Sequence, residues 1–94
     1  IVGNETPIKY ELYQNYPNPF NPVTKIKYDI PKQSLVTLKV YDMLGREIRT
    51  LVNRELEPGA YSFDFDASSI ASGVYFYRLT AGSFVQERKM VLLK

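Results

Sequence analysis

The amino-acid sequence predicts an all-β domain, folded as a sandwich or a barrel of about seven strands. Short runs of β-branched and aromatic residues recur along the chain, and clusters of Gly, Pro, Asn and Asp separate them at intervals of about 8 to 12 residues. No window of about 11 residues carries apolar residues at helical spacing without an interrupting Gly or Pro. The 94 residues therefore correspond to one small domain in which helices are disfavoured.

The first two strands flank a proline-rich segment. Residues 11–15 are predicted to form a short edge strand, which leads into residues 16–22. Proline cannot donate to a strand ladder, so we expect this segment to be extended and peripheral. Residues 24–30 then alternate between apolar and polar side chains, which indicates a strand with one buried face. Its inward residues are predicted to be Ile26, Tyr28 and Ile30.

The middle of the chain is predicted to form a hairpin. Residues 35–41 follow a turn at residues 31–34 and alternate in the same way. Their predicted inward residues are Val36, Leu38 and Val40. Residues 42–45 have the sequence DMLG, which predicts a tight turn because Asp42 can accept backbone hydrogen bonds and Gly45 can adopt a positive φ.

The strand that returns from this turn, residues 46–52, departs from strict alternation. Ile48 and Leu51 are three positions apart, so a β-bulge is needed to bring both to the core. Pro58 and Gly59 then predict a type II turn, because Pro sets φ at the first central position and Gly supplies the positive φ at the second.

The last third of the chain is predicted to contain three strands. In residues 60–66 the inward side chains are Tyr61, Phe63 and Phe65. The loop at residues 67–72 is expected to cross between two sheets, with Ile70 in the core. Residues 74–80 are apolar or aromatic on both faces, which predicts a central strand covered on both sides. Residues 84–93 form the closing strand.

Gly73 and Tyr75 stand at the start of that central strand. In Greek-key sandwiches a Tyr at this place returns its hydroxyl to a nearby loop and pins the corner. Gly73 would be required for its backbone conformation or for a close neighbour. We therefore predict a structural role for Tyr75, with direct recognition of a partner as the alternative.

The composition excludes most catalytic devices. The chain has no His and no Cys, so a Ser-His-Asp triad, a thiolate nucleophile, the usual zinc sites and disulfides are absent. The 12 Lys and Arg against 10 Asp and Glu leave a net charge of +2 without a basic cluster, which argues against nucleic acid as a partner. No apolar run approaches the roughly 18 residues of a membrane span. We expect no enzyme activity, no cofactor and no transmembrane segment.

Three local patterns leave other functions open. The aromatic residues, eight Tyr and five Phe, could include a sugar-binding platform, although most fall at inward positions. Asp64 and Asp66, with help from Asp29, could bind Ca²⁺, although exposed carboxylates are more often solvated. The last strand is basic, then apolar, then basic over residues 88–94, and its edge could be recognised by strand pairing.

Several motifs occur together, in a fixed order, over residues 10–94. They are residues 15–22 (NYPNPFNP), residues 36–47 (VTLKVYDMLGRE), residues 58–59 (PG), residues 71–79 (ASGVYFYRL) and residues 89–94 (KMVLLK). In this order and spacing the motifs resemble the type A C-terminal sorting domain of the type IX secretion system.

The resemblance implies an immunoglobulin-like β-sandwich, with about seven antiparallel strands in two sheets and Greek-key connections. It also implies a non-catalytic signal, recognised by an outer-membrane translocon and a sortase-like attachment machinery, that leads an exported protein through the periplasm and outer membrane to the cell surface or beyond. By matching position, the motif residues are Pro17, Asn18, Pro19 and Phe20 in the opening motif, Gly73 and Tyr75 in the Gly-x-Tyr motif, and Lys89, Val91 and Lys94 in the terminal motif.

Residues 1–9 are predicted to be a linker from an upstream cargo domain, because they are polar, contain Gly3 and Pro7 and show no periodicity. The chain does not begin with Met, so we expect a longer parent protein. The resemblance places cleavage in or near this linker, followed by attachment of the cargo to surface lipopolysaccharide. The alternative functions are a structural immunoglobulin-like spacer and a carbohydrate-binding module of a surface protein.

Overall fold

The computed structural model describes residues 6–94, and these form seven β-strands. The strands are β1 (Glu11–Leu12), β2 (Val23–Ile30), β3 (Ser34–Tyr41), β4 (Glu47–Leu56), β5 (Gly59–Asp66), β6 (Gly73–Ala81) and β7 (Phe84–Leu92). Within that described range there is no helix long and apolar enough to cross a membrane.

The strands form two antiparallel sheets that pack face to face. One sheet has the order β1, β2, β5, and the other has the order β4, β3, β6, β7. The chain changes sheets between β2 and β3, between β4 and β5, and between β5 and β6. The predicted immunoglobulin-like sandwich is therefore confirmed.

The core lies between the two sheets and contains the predicted inward side chains of β2 and β3, whereas Tyr61 and Phe63 of β5 are only partly buried against it. In β2 and β3 these residues are at most 3% exposed. Tyr77 and Leu79 of β6 and Met90 and Leu92 of β7 are fully buried on the opposing side. Each large apolar side chain that is fully buried contributes about 1.5–3 kcal/mol, so the alternation in the sequence largely decides which faces meet.

The bulged strand predicted from the sequence is β4. Its pairing with β3 shifts register between Leu38 and Lys39 and again between Val40 and Tyr41. Leu51 and Ile48 are the two β4 residues skipped at these shifts, and both pack against the core. The strand runs beyond its predicted end at residue 52, because it stays paired with β3 as far as Leu56.

The type II turn predicted at Pro58 and Gly59 is wrong. Gly59 is the first residue of β5 and pairs with Ile30, so its backbone is extended and has no positive φ. The predicted positive φ at Gly45 is present, at 82°. The difference arises because pairing with β2 begins one residue earlier than the local sequence suggests.

The proline-rich segment, residues 16–22, is peripheral as predicted, but it is bent and not extended. Tyr16 pairs with Lys25 of β2, whereas Phe20 pairs with Leu92 of β7, and bends occupy the positions between and after these bridges. The segment must bend because it passes from one sheet to the other. The strand β1 is only two residues long, shorter than the prediction for residues 11–15, although Tyr13 and Tyr16 also bond to the main chain of β2.

The prediction that β6 is central is confirmed, but the prediction that both its faces are covered is wrong. The strand pairs with β3 on one side and β7 on the other. Its outward residues Val74 and Phe76 are only half-buried, since no part of the chain from residue 6 onward forms a second layer over that face. Tyr41 and Lys89, the cross-strand neighbours of Phe76, account for its partial cover.

Tyr77 of β6 joins the two sheets through its hydroxyl group. The hydroxyl donates to the Tyr13 carbonyl oxygen at 2.7 Å and accepts from the Asn15 N–H at 2.8 Å. Burial raises the pKa of Tyr77 to about 12, so the phenol stays a protonated donor at neutral pH. Two main-chain groups in the segment after β1 therefore depend on one side chain from the opposite sheet.

We expect Tyr77→Phe to lower the free energy of unfolding by about 1–3 kcal/mol, because it leaves these two main-chain groups without their partner. Tyr16→Phe is the matched control. Tyr16 is 80% exposed, so the same chemical change there should alter stability by less than about 0.5 kcal/mol. Urea denaturation followed by circular dichroism measures both. Equal stability of Tyr77→Phe and the control would contradict the bridging role.

Candidate functional site

The predicted opening and terminal motifs meet along the outer edge of β7. Asn18 Oδ1 accepts a hydrogen bond from the Val91 N–H at 2.9 Å. The Phe20 N–H donates to the Val91 carbonyl oxygen at 2.9 Å, and the Leu93 N–H donates to the Phe20 carbonyl oxygen at 3.0 Å. Two segments that are 73 residues apart in sequence thus form one structural unit.

The Gly-x-Tyr motif joins this unit from the other side of β7. Gly73 pairs with Leu92, so Leu92 lies between Gly73 and Phe20 in one row across the sheet edge. Gly73 has a φ of 154°, and a Cβ there would meet nothing within 4 Å. Its backbone conformation, and not a close neighbour, is what requires glycine.

Tyr75 makes the predicted corner contact. Its hydroxyl donates to the Ala71 carbonyl oxygen at 2.6 Å, and its ring is buried in the core. Ala71 belongs to the crossover loop, residues 67–72, which connects the two sheets. The predicted structural role of Tyr75 is therefore confirmed, and little of its surface is left for a partner.

The opening motif combines a buried anchor with an exposed surface. The Phe20 ring is buried next to Phe65, with ring centroids 6.3 Å apart. Pro17 and Pro19 are exposed, and the Pro17 carbonyl oxygen accepts a hydrogen bond from Thr24 Oγ1 at 2.8 Å. Pro17 is thus bonded to β2 through its main chain, while both prolines remain exposed.

In the terminal motif, Lys89 and Val91 face outward, whereas Lys94 is hydrogen-bonded within the domain. Lys89 is exposed and Val91 is half-buried on the outer face of β7, where Val91 lies opposite Val74. The Lys94 N–H donates to Ser72 Oγ at 3.0 Å, and its ammonium donates to the Ser68 carbonyl oxygen at 2.8 Å. The end of this strand is therefore fixed to the crossover loop.

The hypothesis that the edge of the last strand is open to strand pairing is wrong for residues 89–93. In addition to the bonds from Asn18 and Phe20, Gln14 Nε2 donates to the Lys89 carbonyl oxygen at 2.8 Å. The protein's own chain occupies these hydrogen-bonding groups. Another strand could pair there only by displacing residues 14–20.

A buried polar cluster beneath the proline-rich segment was missed by sequence reasoning. Asn15 Nδ2 donates to Thr24 Oγ1 at 3.0 Å and to the Pro17 carbonyl oxygen at 3.2 Å, and both side chains are buried. Thr24 is two positions before Ile26 in the same strand, so both side chains point to the same face and the inward orientation of Thr24 could have been predicted. Asn15 carried no such signal, because it lies outside any alternating run.

Two tyrosines of the possible sugar platform are exposed on the outer face of the three-stranded sheet. Tyr13 and Tyr16 border a depression of about 710 Å³ that Lys25 and Lys27 also line. The Tyr13 hydroxyl donates to Asp29, and this hydrogen bond is the main reason why the pKa of Tyr13 rises to about 12. Most other aromatic rings pack in or against the core.

The carboxylates considered for Ca²⁺ are engaged separately. Asp64 forms an ion pair with Lys25 at 2.7 Å, and Asp29 accepts from Tyr13. Hydrogen bonds from the Ser68 hydroxyl and N–H lower the pKa of Asp66. Across residues 6–94 no group of three or more metal-ligating side chains is assembled.

Comparison with known proteins bears on the same motifs. A family model described as "Secretion system C-terminal sorting domain" matches residues 14–93, which include the opening motif, the Gly-x-Tyr motif and all of the terminal motif except Lys94. No curated protein matches the chain.

We expect Asn18→Ala to loosen the terminal strand without unfolding the domain. The change removes one hydrogen bond, so the free energy of unfolding should fall by about 0.5–1.5 kcal/mol. Hydrogen exchange followed by NMR should show faster exchange of the Val91 amide, with β3 little changed. Asn53→Ala on the exposed side of β4 is the control and should leave Val91 unaffected. Unchanged protection of Val91 in Asn18→Ala would refute this role for Asn18.

Proposed function

The chain belongs to the family of secretion system C-terminal sorting domains, and we propose that it is a non-catalytic signal that leads an attached cargo protein through the outer membrane. Membership of this family implies export to the cell surface or to the outside of the cell. The proposed route is the type IX secretion system, with passage through the periplasm. The proposed partners are the outer-membrane translocon and a sortase-like attachment machinery.

The convergence of three motifs on β7 is the observation that carries this proposal. Phe20 and Gly73 flank Leu92, while Lys89 and Val91 project to the outside from the same strand. A signal needs a surface of defined geometry, and a strand held at both edges supplies one.

We further propose a division of roles among the motif residues. Phe20, Gly73 and Tyr75 support the fold, and Asn18 holds the terminal strand in place. Pro17, Pro19, Lys89, Val91 and Lys94 supply the surface that the machinery recognises. This division follows burial: the supporting residues are buried or bonded within the domain, and the recognised ones are exposed or face outward, with Lys94 also donating to the Ser68 carbonyl oxygen.

The proposed linker, residues 1–9, connects the domain to its cargo and contains the site of cleavage before attachment to lipopolysaccharide. Residues 1–5 lie outside the described residues. Tyr10 is held by the fold: its ring stacks on Phe84 with centroids 5.2 Å apart, and its hydroxyl is 2.8 Å from Ser34 Oγ. This contact supports a boundary at residue 10, since a peptidase needs an accessible chain before it.

We expect a reporter fused to residues 1–94 to leave a host that carries type IX machinery, and to be cut within or near residues 1–9. Lys89→Ser with Val91→Ser should lower the secreted fraction about tenfold, the effect of losing about 1.4 kcal/mol of recognition. The secreted fraction and the mass of the product are the measurements. Val23→Ser with Lys27→Ser makes the same two changes on the outward side of β2 and is the matched control.

Thermal melting must accompany this assay, because loss of Val91 also removes a contact with Val74. If the unmodified fusion stays in the periplasm as often as the reporter alone, the sorting function is wrong and the spacer alternative is favoured. If both double variants are exported equally, Lys89 and Val91 are not recognised.

The exposed Tyr13 and Tyr16 favour carbohydrate binding as the second candidate function. Under the sorting proposal, we expect the domain to stay in the supernatant when it is mixed with insoluble cellulose or chitin. Co-sedimentation that Tyr13→Ala with Tyr16→Ala abolishes would establish the carbohydrate-binding alternative instead.

A further inference from the structure

The hairpin loop between β3 and β4, residues 42–45, exposes two large apolar side chains. Met43 is 70% exposed and Leu44 is 78% exposed. Tight turns usually carry polar residues or Gly at such positions, because apolar side chains there gain nothing from the fold. Two adjacent apolar residues at a turn tip therefore do little for the stability of the domain and indicate contact with a partner.

Hydrogen bonds hold the main chain that carries these two side chains in a defined conformation. Asp42 Oδ1 accepts hydrogen bonds from the Leu44 N–H at 2.9 Å and the Arg46 N–H at 3.0 Å, and Asp42 Oδ2 accepts from Arg46 Nε at 2.7 Å. The Gly45 N–H donates to the Asp42 carbonyl oxygen at 3.0 Å, which closes the turn. A preorganised loop loses little conformational entropy when it binds, which favours a docking role.

The hairpin loop lies at the same end of the sandwich as the terminal strand. Residues 42–44 share a depression of about 230 Å³ with Gly73 and Val74. Val74 pairs with Val91 of β7. Leu93 lies two residues beyond Val91 and is exposed. Val74 thus links the apolar side chains of the loop, with which it shares the depression, to Val91 of the terminal strand at one end of the sandwich.

Charges around these side chains indicate the chemistry of the occupant. Lys89 and Lys94 lie on the terminal-strand side, whereas the charges of Arg46 and Asp42 in the loop are paired with each other. A complementary surface would offer an apolar recess with carboxylates at its border.

We propose that Met43 and Leu44 form, with Val74, Val91 and Leu93, a composite docking surface for a protein of the export machinery that presents an apolar recess bordered by carboxylates. This inference rests on the proposed sorting function. The loop and the terminal strand are almost fifty positions apart and are brought together only by the pairing of β3, β6 and β7. A partner that contacts both therefore recognises the folded domain and not a terminal peptide.

The test uses the reporter fusion with Met43→Ser and Leu44→Ser combined. We expect the secreted fraction to fall about tenfold, as for loss of an interface hot spot. Leu35→Ser with Val85→Ser is the matched control. These two residues are similarly exposed, at 56% and 59%, but lie at the opposite end of the same sheet, so secretion should be unchanged. The exchange Met43→Leu with Leu44→Met keeps the surface apolar and should retain secretion.

The outcomes separate this inference from the function on which it rests. If the unmodified fusion is secreted and Met43→Ser with Leu44→Ser is secreted equally well, the docking surface is wrong and the sorting function stands. If the unmodified fusion is retained, the sorting function fails and the docking surface fails with it. Thermal melting of all variants should agree with the unmodified domain, because every substituted side chain is exposed.

Two further measurements address other occupants of the same surface. Co-sedimentation with vesicles of phosphatidylethanolamine and phosphatidylglycerol, lost in Met43→Ser with Leu44→Ser, would identify an anionic membrane and overturn the proposal. Sedimentation velocity that shows a dimer dependent on the same residues would identify a second copy of the chain and would also overturn it. We expect a monomer that does not bind vesicles.

Discussion

The segment between β1 and β2 is bonded to both sheets, and the rest of the structure depends on this link. Its main chain pairs with β2 at Tyr16, and its far end pairs with β7 at Phe20. Just before Tyr16, the Tyr77 hydroxyl, from the opposite sheet, bonds to Tyr13 and Asn15. A domain of 94 residues buries a modest share of its surface, so bonds that join its two layers are important in holding them in one arrangement.

This closure changes how the terminal strand can be recognised. A free strand edge invites pairing with another chain, and most proteins protect such edges. Here Gln14, Asn18 and Phe20 occupy the edge of β7 from Lys89 to Leu93. In the closed domain the hydrogen-bonding groups of this edge are occupied, which leaves the outward side chains of the strand as its accessible groups. A folded signal with a protected edge can also be exported without aggregating through that edge.

Strands with regular alternation were predictable, because a period of two is a local property that burial on one side imposes. The bulge in β4 was predictable for the same reason, since Ile48 and Leu51 could not otherwise share a face. The errors at Gly59 and in residues 16–22 have another origin. At Gly59 the backbone conformation is set by pairing with Ile30, which is distant in sequence. In residues 16–22 it is set by pairing with one strand of each sheet, at Lys25 and at Leu92.

The sequence by itself determined the number of strands, the inward faces of β2 and β3, the turn at Asp42 and the corner contact of Tyr75, because each depends on residues close together in the chain. The order of the motifs along residues 10–94 determined the family resemblance. Only the tertiary structure decided that Phe20 and Gly73 flank Leu92 and that the terminal edge is closed. It also placed the hairpin loop at the same end as the terminal strand. The physical reason is that pairing between distant strands follows from how the two sheets pack, which no local pattern of residues encodes.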